Sequence, residues 1–217
     1  MKDYPFSFDR LHQFSESAPY TNHPYTDLAA QLDSLRQELN FPAVTQEVGE
    51  FLSFLISVHR PKTIFEMGSG YGHSAFYYLK GFSKVEKIFL TEKRKDLQSV
   101  FDEISWPDRW KTKLKYHQGD AFEVLEETQE RLDFIFIDGV KADYLDFLET
   151  AKDKLSAQGV VAIDNSYWRG SFLDVETHHK KSSKNMARLH EWIKQQSTFQ
   201  ASFIPFKDGL TLLSKLR

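Results

Sequence analysis

The chain has 217 residues, 41% of them hydrophobic and 27% charged, with a formal net charge of −3; this is one ordinary globular domain with enough apolar surface for a full core. The slight acidity gives no general affinity for nucleic acid or membrane. Cysteine is absent, so disulfides, zinc–thiolate sites and thiol catalysis are excluded.

Residues 1–25 carry Pro5, Pro19 and Pro24, show no clear period, and read as an arm or lid. The start MKDYPFSFDRLH lacks a signal peptide's apolar core, and no apolar run approaches the roughly 18 residues of a membrane span, so the cytoplasm is the expected location. TDLAAQLDSLRQEL places apolar residues at helical spacing behind a Thr26 cap, and Pro42 interrupts after it. TQEVGEFLSFLISVHR is a second helix, ended by Pro61.

A strand–helix alternation then takes over. TIFEM is followed by glycines and the helical HSAFYYLKGF; KIFLTE is followed by KDLQSVFDEI. LKYHQ leads into DAFEVLEETQ, LDFIFID into YLDFLETAKDKL, and GVVAID into a looser stretch. Near-continuous apolar strands separated by helices indicate a parallel sheet covered on both faces. The ending differs: FQASFIPF and LTLLSKL, joined by KDG, read as a β-hairpin. The expected fold class is α/β, a doubly wound, mostly parallel seven-stranded sheet with an antiparallel strand from the C-terminal hairpin.

FEMGSGYGHS, at 65–74, lies where the first strand turns into its helix. Glycines at 68, 70 and 72 let the backbone approach a ligand closely, and Glu66 closes the strand. A dinucleotide fingerprint would need glycine at 73, where His73 stands; a cofactor without a pyrophosphate has less need of it. A tight turn without a ligand is the alternative. Glu92 ends the second strand about 20 residues beyond Gly72, where an acid accepts hydrogen bonds from ribose hydroxyls. GDA at 119–121 ends the third strand beside the place of an adenine ring, although Asp120 also suits a helix N-cap.

Two apolar strands end in acids. Asp138 closes IFID, and Asp164 with Asn165 closes GVVAIDN. Carboxyl ends of such strands share one edge, where ligands bind. Two carboxylates and an amide oxygen there make a hard-oxygen site for Mg²⁺ or a similar ion, with half an octahedral shell left for water and substrate. Two unrelated turns capped by Asp are the alternative. Lys141 follows Asp138 by three residues. An amine beside a cation and partly withdrawn from water gives up its proton more readily, and can then take one from a hydroxyl. Otherwise Lys141 opens a helix on its solvent face.

Together these stretches resemble the class I S-adenosylmethionine-dependent methyltransferases. More narrowly, they resemble the metal-dependent O-methyltransferases that include the catechol and caffeoyl-CoA enzymes. FEMGSGYGHSA is similar to their cofactor loop, DFIFIDGVKADY to the metal-and-base loop, AIDNSYWRG to the second metal loop, and FKDGLTLLSK to the closing hairpin. The resemblance runs from about Val44 to the C-terminus and implies a Rossmann-like methyltransferase core at 44–217 behind an arm and helix at 1–43. It implies that Glu66 binds the methionine amino group, with Gly68, Ser69, Gly72 and Val44 along the same part and Ser74 on the carboxylate. Glu92 would hold the ribose, Asp120 and Ala121 would flank the adenine, and Asp138 would border the cofactor. Asp138, Asp164 and Asn165 would bind the metal (Mg, with Mn or Ca as alternatives), and Lys141 would be the general base. Two departures stand out. Val140 occupies the place of a second Asp in the plant-type enzymes, and Ser202 stands near the acid with which catechol enzymes grip the second hydroxyl.

Tyr144 and Trp168 are read as acceptor contacts, with Tyr167 beside them; packing is the alternative for the pair after the metal loop. His73, His117 and His190 are single histidines expected in packed or solvated positions. HHKKSSK at 178–184 is a local basic patch, a solvated loop or a phosphate contact. The expected activity is methylation of a metal-chelated hydroxyl on a small catechol-like or hydroxyaromatic acceptor, and the alternative is a hydroxylated nucleoside in tRNA. A homodimer is implied by the resemblance alone.

Overall fold

The computed structural model describes residues 24–173 and 180–216; most of the expected N-terminal arm and the two histidines of the basic patch lie outside them. In chain order the elements are α1 (Thr26–Glu38), α2 (Gln46–His59), β1 (Thr63–Met67), α3 (His73–Gly81), β2 (Lys87–Glu92), α4 (Asp96–Glu103) and α5 (Asp108–Lys111). There follow β3 (Leu114–Gln118), α6 (Ala121–Glu127), β4 (Leu132–Ile137), α7 (Tyr144–Ala151), β5 (Leu155–Asp164), α8 (Lys181–Gln195), β6 (Phe199–Ile204) and β7 (Leu210–Lys215). Short 3-10 turns at Lys141–Asp143 and Trp168–Gly170 follow the ends of β4 and β5.

The strands form one sheet in the order β3-β2-β1-β4-β5-β7-β6. The first five are parallel, and β7 runs antiparallel between β5 and β6. The expected α/β fold and its closing hairpin are therefore present. Period-2 alternation sorts the strand side chains into two cores. Ile64, Ile88, Leu90, Phe134 and Phe136 face the layer of α1 to α5. Phe65, Phe89, Ile135 and Ile137 face the layer of α6 to α8. Strand order reverses between β1 and β4, and a crevice opens beyond the carboxyl ends at such a switch point.

The local signals acted as expected in places and lost to tertiary contacts elsewhere. Thr45 caps α2, its side chain accepting from the Val48 amide, and Arg60 ends that helix in the left-handed region at φ 55° before Pro61. The Thr26 cap is not formed: Tyr25 occupies the N-cap without a side-chain capping bond, and Thr26 is the first helical residue. β5 begins at Leu155, not at Gly159. Leu155 is buried and pairs with Leu132 across a register shift, which shortens the preceding helix to Ala151. The looser stretch after β5 contains α8, whose Met186, Leu189, His190 and Ile193 are buried on one stripe at helical spacing. Lys181 and Lys184 form its first turn rather than a loop.

Candidate active site

The glycine loop is built to bring backbone against backbone. Amides of Gly68 and Ser69 both donate to the Thr91 carbonyl, at 3.1 and 2.9 Å. The Thr91 amide donates in return to Ser69 Oγ at 3.0 Å, and the Thr91 hydroxyl donates to the Glu66 carbonyl at 2.7 Å. Gly68 has φ 88°, and a Cβ there would lie 2.4 Å from the Asp138 carbonyl oxygen. Gly68→Ala is therefore expected to cost about 2–4 kcal/mol, from left-handed strain plus displacement of the β4 end. A shift of the urea midpoint measures it; an unchanged midpoint would show that the two loops are not locked.

Glu66 sits at the floor of the crevice, 1% exposed. Ser74 Oγ donates to its Oε1 at 2.5 Å, while Oε2 has no partner among the described residues. Burial pushes its carboxyl up to about 7, and the charge of Glu92 adds in the same direction. Glu92, on the next strand, accepts from the Gly70 amide at 3.0 Å and the Arg94 amide at 2.9 Å, which fixes its carboxylate at the rim.

The opposite end holds the acids of β4 and β5. Lys141 Nζ lies 3.4 Å from Asp138 Oδ1 and 3.3 Å from the Gly139 carbonyl, with 10% of its side chain exposed. Asp164 is buried, and its Oδ1 accepts from the Asn165 amide at 2.8 Å. Asn165 itself turns the chain at φ 51°. Burial, and then the charge of Asp164, hold the Asp138 carboxyl well above its ordinary range; burial also raises Asp164. Two interacting carboxylates, Asp164 buried and Asp138 partly buried, with one lysine against Asp138, form a site short of positive charge.

The loop after Asn165 is braced from behind. Ser166 and Tyr167 amides donate to the carbonyls of Gly209 and Asp208 at 2.9 and 2.7 Å, and the Arg169 amide donates to the Asp208 carboxylate. His190 Nε2 donates to the Ser166 carbonyl at 2.6 Å, its ring stacked on Phe172. This histidine is packed, as is the buried His73, which lies 3.8 Å from Asp33.

One cavity of about 680 Å³ joins both ends. Its wall contains Val44, Glu66, Gly68, Ser69, Ser74, Glu92, Ala121, Asp138, Lys141, Asn165 and Trp168, so most of the residues singled out in the sequence converge. Gly72, Asp120, Tyr144, Asp164 and Tyr167 do not line it. Gly72 is the N-cap of α3, and its Cα hydrogens face Phe101 and Leu90. Asp120 caps α6 through the Phe122 amide at 3.0 Å and pairs with Lys93. Tyr144 is 0% exposed and belongs to the core under α7, which corrects its reading as an acceptor contact. Asp164 is buried and does not line the cavity, though its charge acts on Asp138. Ser74 donates its one hydroxyl proton to Glu66, so in this arrangement none is left for a cofactor carboxylate.

Other wall residues carried no recognisable motif. Phe41 and Pro42 enter from the α1–α2 connection, Arg94 from beyond β2, and Ser182 from the first turn of α8. Ser202, near the expected place of a gripping acid, faces away on the edge strand β6 opposite Leu212, and is exposed. Among the described residues no group of three or more His, Asp or Glu is placed to hold a metal; the candidate set is two carboxylates and an amide.

The sequence profile of the O-methyltransferase family matches residues 20–216. The chain belongs to the O-methyltransferase family. The likeness of its four motifs to the class I, caffeoyl-CoA-type methyltransferases therefore holds. Caffeoyl-CoA O-methyltransferase 3 of Nicotiana tabacum is 22% identical over 220 residues, spanning 96% of this chain and 91% of the relative. Tapetum-specific methyltransferase 1 of Arabidopsis thaliana is 25% identical over 177 residues, 76% of this chain and 75% of the relative. An O-methyltransferase from Bacillus cereus, solved in complex with SAH, superposes with a TM-score of 0.84 at 20% identity, over 95% of this chain and 97% of that one. This O-methyltransferase thus has the enzyme's fold over nearly its whole length, and no helix among its described residues is long and apolar enough to cross a membrane.

Proposed function

We propose that this O-methyltransferase moves a methyl group from S-adenosylmethionine to one hydroxyl of a vicinal diol on a small catechol-like or hydroxyaromatic acceptor, with a divalent cation at Asp138, Asp164 and Asn165. The observation that carries the reading is Asp138, with Lys141 Nζ 3.4 Å away and the charge of the buried Asp164 raising it, at one end of a cavity whose other end is Glu66 and Glu92. The donor set suits the ion: all its atoms are hard oxygens, and a cation is what would let both raised carboxyls ionise side by side. Bound there, it would polarise an acceptor oxygen and favour its deprotonated form.

S-adenosylmethionine supplies the methyl group on a sulfonium, and the other end of the cavity fits it. Glu66, whose Oε2 makes no well-formed hydrogen bond among the described residues, would accept from an ammonium group. Gly68 and Ser69 offer a close backbone wall, Glu92 accepts from ribose hydroxyls, and Ala121 leaves room for a flat base. On the acceptor side, Lys141 takes the proton and Trp168 provides an aromatic wall. Val140, 57% exposed, replaces an acid with an apolar rim, which favours an uncharged ring at that edge. The work of these side chains is to hold the reacting groups in line and keep water away.

A nucleoside in tRNA gains no support. Of the first turn of α8, the cavity is lined by Ser182 and not by Lys181 or Lys184. The test is transfer of labelled methyl to a panel of catechols, the matching monophenols and hydroxylated tRNA. The catechols are expected to be methylated and the monophenols to react at least about tenfold more slowly, since one chelating oxygen is lost. Equal rates for diol and monophenol would contradict chelation.

A further inference from the structure

The reading of Lys141 as a base leaves open what keeps a long, flexible side chain aimed. Its two hydrogen bonds, at 3.4 and 3.3 Å, are long and fix it weakly. Two aromatic faces lie closer to the purpose. Lys141 Nζ is 5.0 Å from the ring centroid of Tyr144 and 5.8 Å from that of Trp168. Both distances are within cation–π range.

We propose that Tyr144 is a positioning residue whose ring, with Trp168 on the other side, forms a slot that holds the Lys141 amine beside Asp138. Tyr144 opens α7 three residues after Lys141, so one turn of helix carries both. Its ring is wholly buried with Phe147 and Leu148 and cannot turn away, whereas Trp168 is half-buried on the braced loop. The backbone of the intervening turn is pinned from α8, where the Asn185 side-chain amide donates to the Ala142 carbonyl. The Tyr144 hydroxyl lies against the Gly139 backbone without a well-formed hydrogen bond and does not line the cavity, so an acceptor contact does not account for an aromatic there. Its ring face meets Lys141 as well as the core.

The proposal rests on Lys141 being the base, and the test separates the two. In cofactor-free protein isotope-labelled at lysine, the Lys141 ε-methylene NMR signal, assigned by its loss in Lys141→Met, reads the slot without turnover. The ring currents are expected to shift that signal upfield of the other lysines. Tyr144→Phe keeps the shift, while Tyr144→Leu and Trp168→Leu each lose part of it. In turnover, Tyr144→Leu is expected to lower kcat about tenfold with KM for S-adenosylmethionine nearly unchanged, and Phe to restore most of the rate. A wild-type signal at the position of a solvated lysine would overturn the slot, as would Phe and Leu behaving alike. If Tyr144→Leu does not fold, the wild-type shift and Trp168→Leu decide. Full activity in Lys141→Met, with the upfield signal present in the wild-type protein, would instead remove the base assignment and leave the slot.

Discussion

Lys141→Ala is expected to lower kcat by about 10² to 10⁴, the usual contribution of one general base. The apparent affinity for a vicinal diol should change little, because the oxygens of Asp138, Asp164 and Asn165 are untouched. Lys141→Arg should restore little of the rate. A guanidinium stays protonated, so it offers the charge but cannot accept a proton. Rates across pH at saturating acceptor, for the wild type and both variants, make the comparison. A near-wild-type kcat in Lys141→Arg would mean that the residue supplies charge and that another group takes the proton.

Glu66→Gln is expected to destabilise the protein at low pH but not at high pH, while weakening the cofactor. The Glu66 carboxyl is raised from an ordinary 4.5 to about 7, first by burial. Below about pH 4.5 it is protonated in both the folded and the unfolded chain and has no linked effect. As pH rises from 4.5 to 7 the unfolded chain gives up this proton and the folded chain keeps it, so stability of the cofactor-free protein falls through that window. The fall is about 3 kcal/mol for a shift of this size. Glutamine does not titrate, but its amide nitrogen would take the unpartnered Oε2 position at a cost of about 1–3 kcal/mol. The variant is therefore less stable than wild type at pH 4.5 and equal or more stable at pH 8. Independently of that cost, the stability difference between the two proteins should move by about 3 kcal/mol across the range. Urea melts at several pH values measure it, and a difference constant with pH would contradict the buried, unpaired carboxylate. Titration calorimetry should show S-adenosylmethionine binding weakened by about tenfold or more, the loss of one charged hydrogen bond.

What could be read without coordinates was what local pattern dictates. Apolar runs ending in Glu66, Glu92, Asp138 and Asp164 placed four acids at one sheet edge, because parallel strands share a direction, and the Lys207–Gly209 turn between alternating segments marked the hairpin. Contacts made across the chain were not legible. The Asp208 carboxylate braces the Arg169 amide across 39 positions, and its Asp-Gly dipeptide looks like any turn. Tyr144 looked like an acceptor contact because it follows Lys141, yet the first turn of α7 points it into the core. Asp120 offered two readings of equal merit until the Phe122 amide was seen to use it. α8 was hidden by its start: lysines disfavour a helix N-terminus, and only the later Met186, Leu189, His190 and Ile193 carry the period.

The central claim is that Asp138, Asp164 and Asn165 hold a divalent cation on which turnover depends, and titrating activity with chelator and metal tests it most directly. Exhaustive chelation is expected to abolish methyl transfer to a catechol, and added Mg²⁺, or Mn²⁺ or Ca²⁺ to differing extents, to restore it. Asp164→Ala should prevent that restoration while leaving S-adenosylmethionine binding largely intact, since Glu66, Gly68 and Glu92 lie at the other end of the cavity. Undiminished transfer in chelated wild-type enzyme would contradict the account, and Lys141, Asp138 and Asp164 would then have to act without a cation.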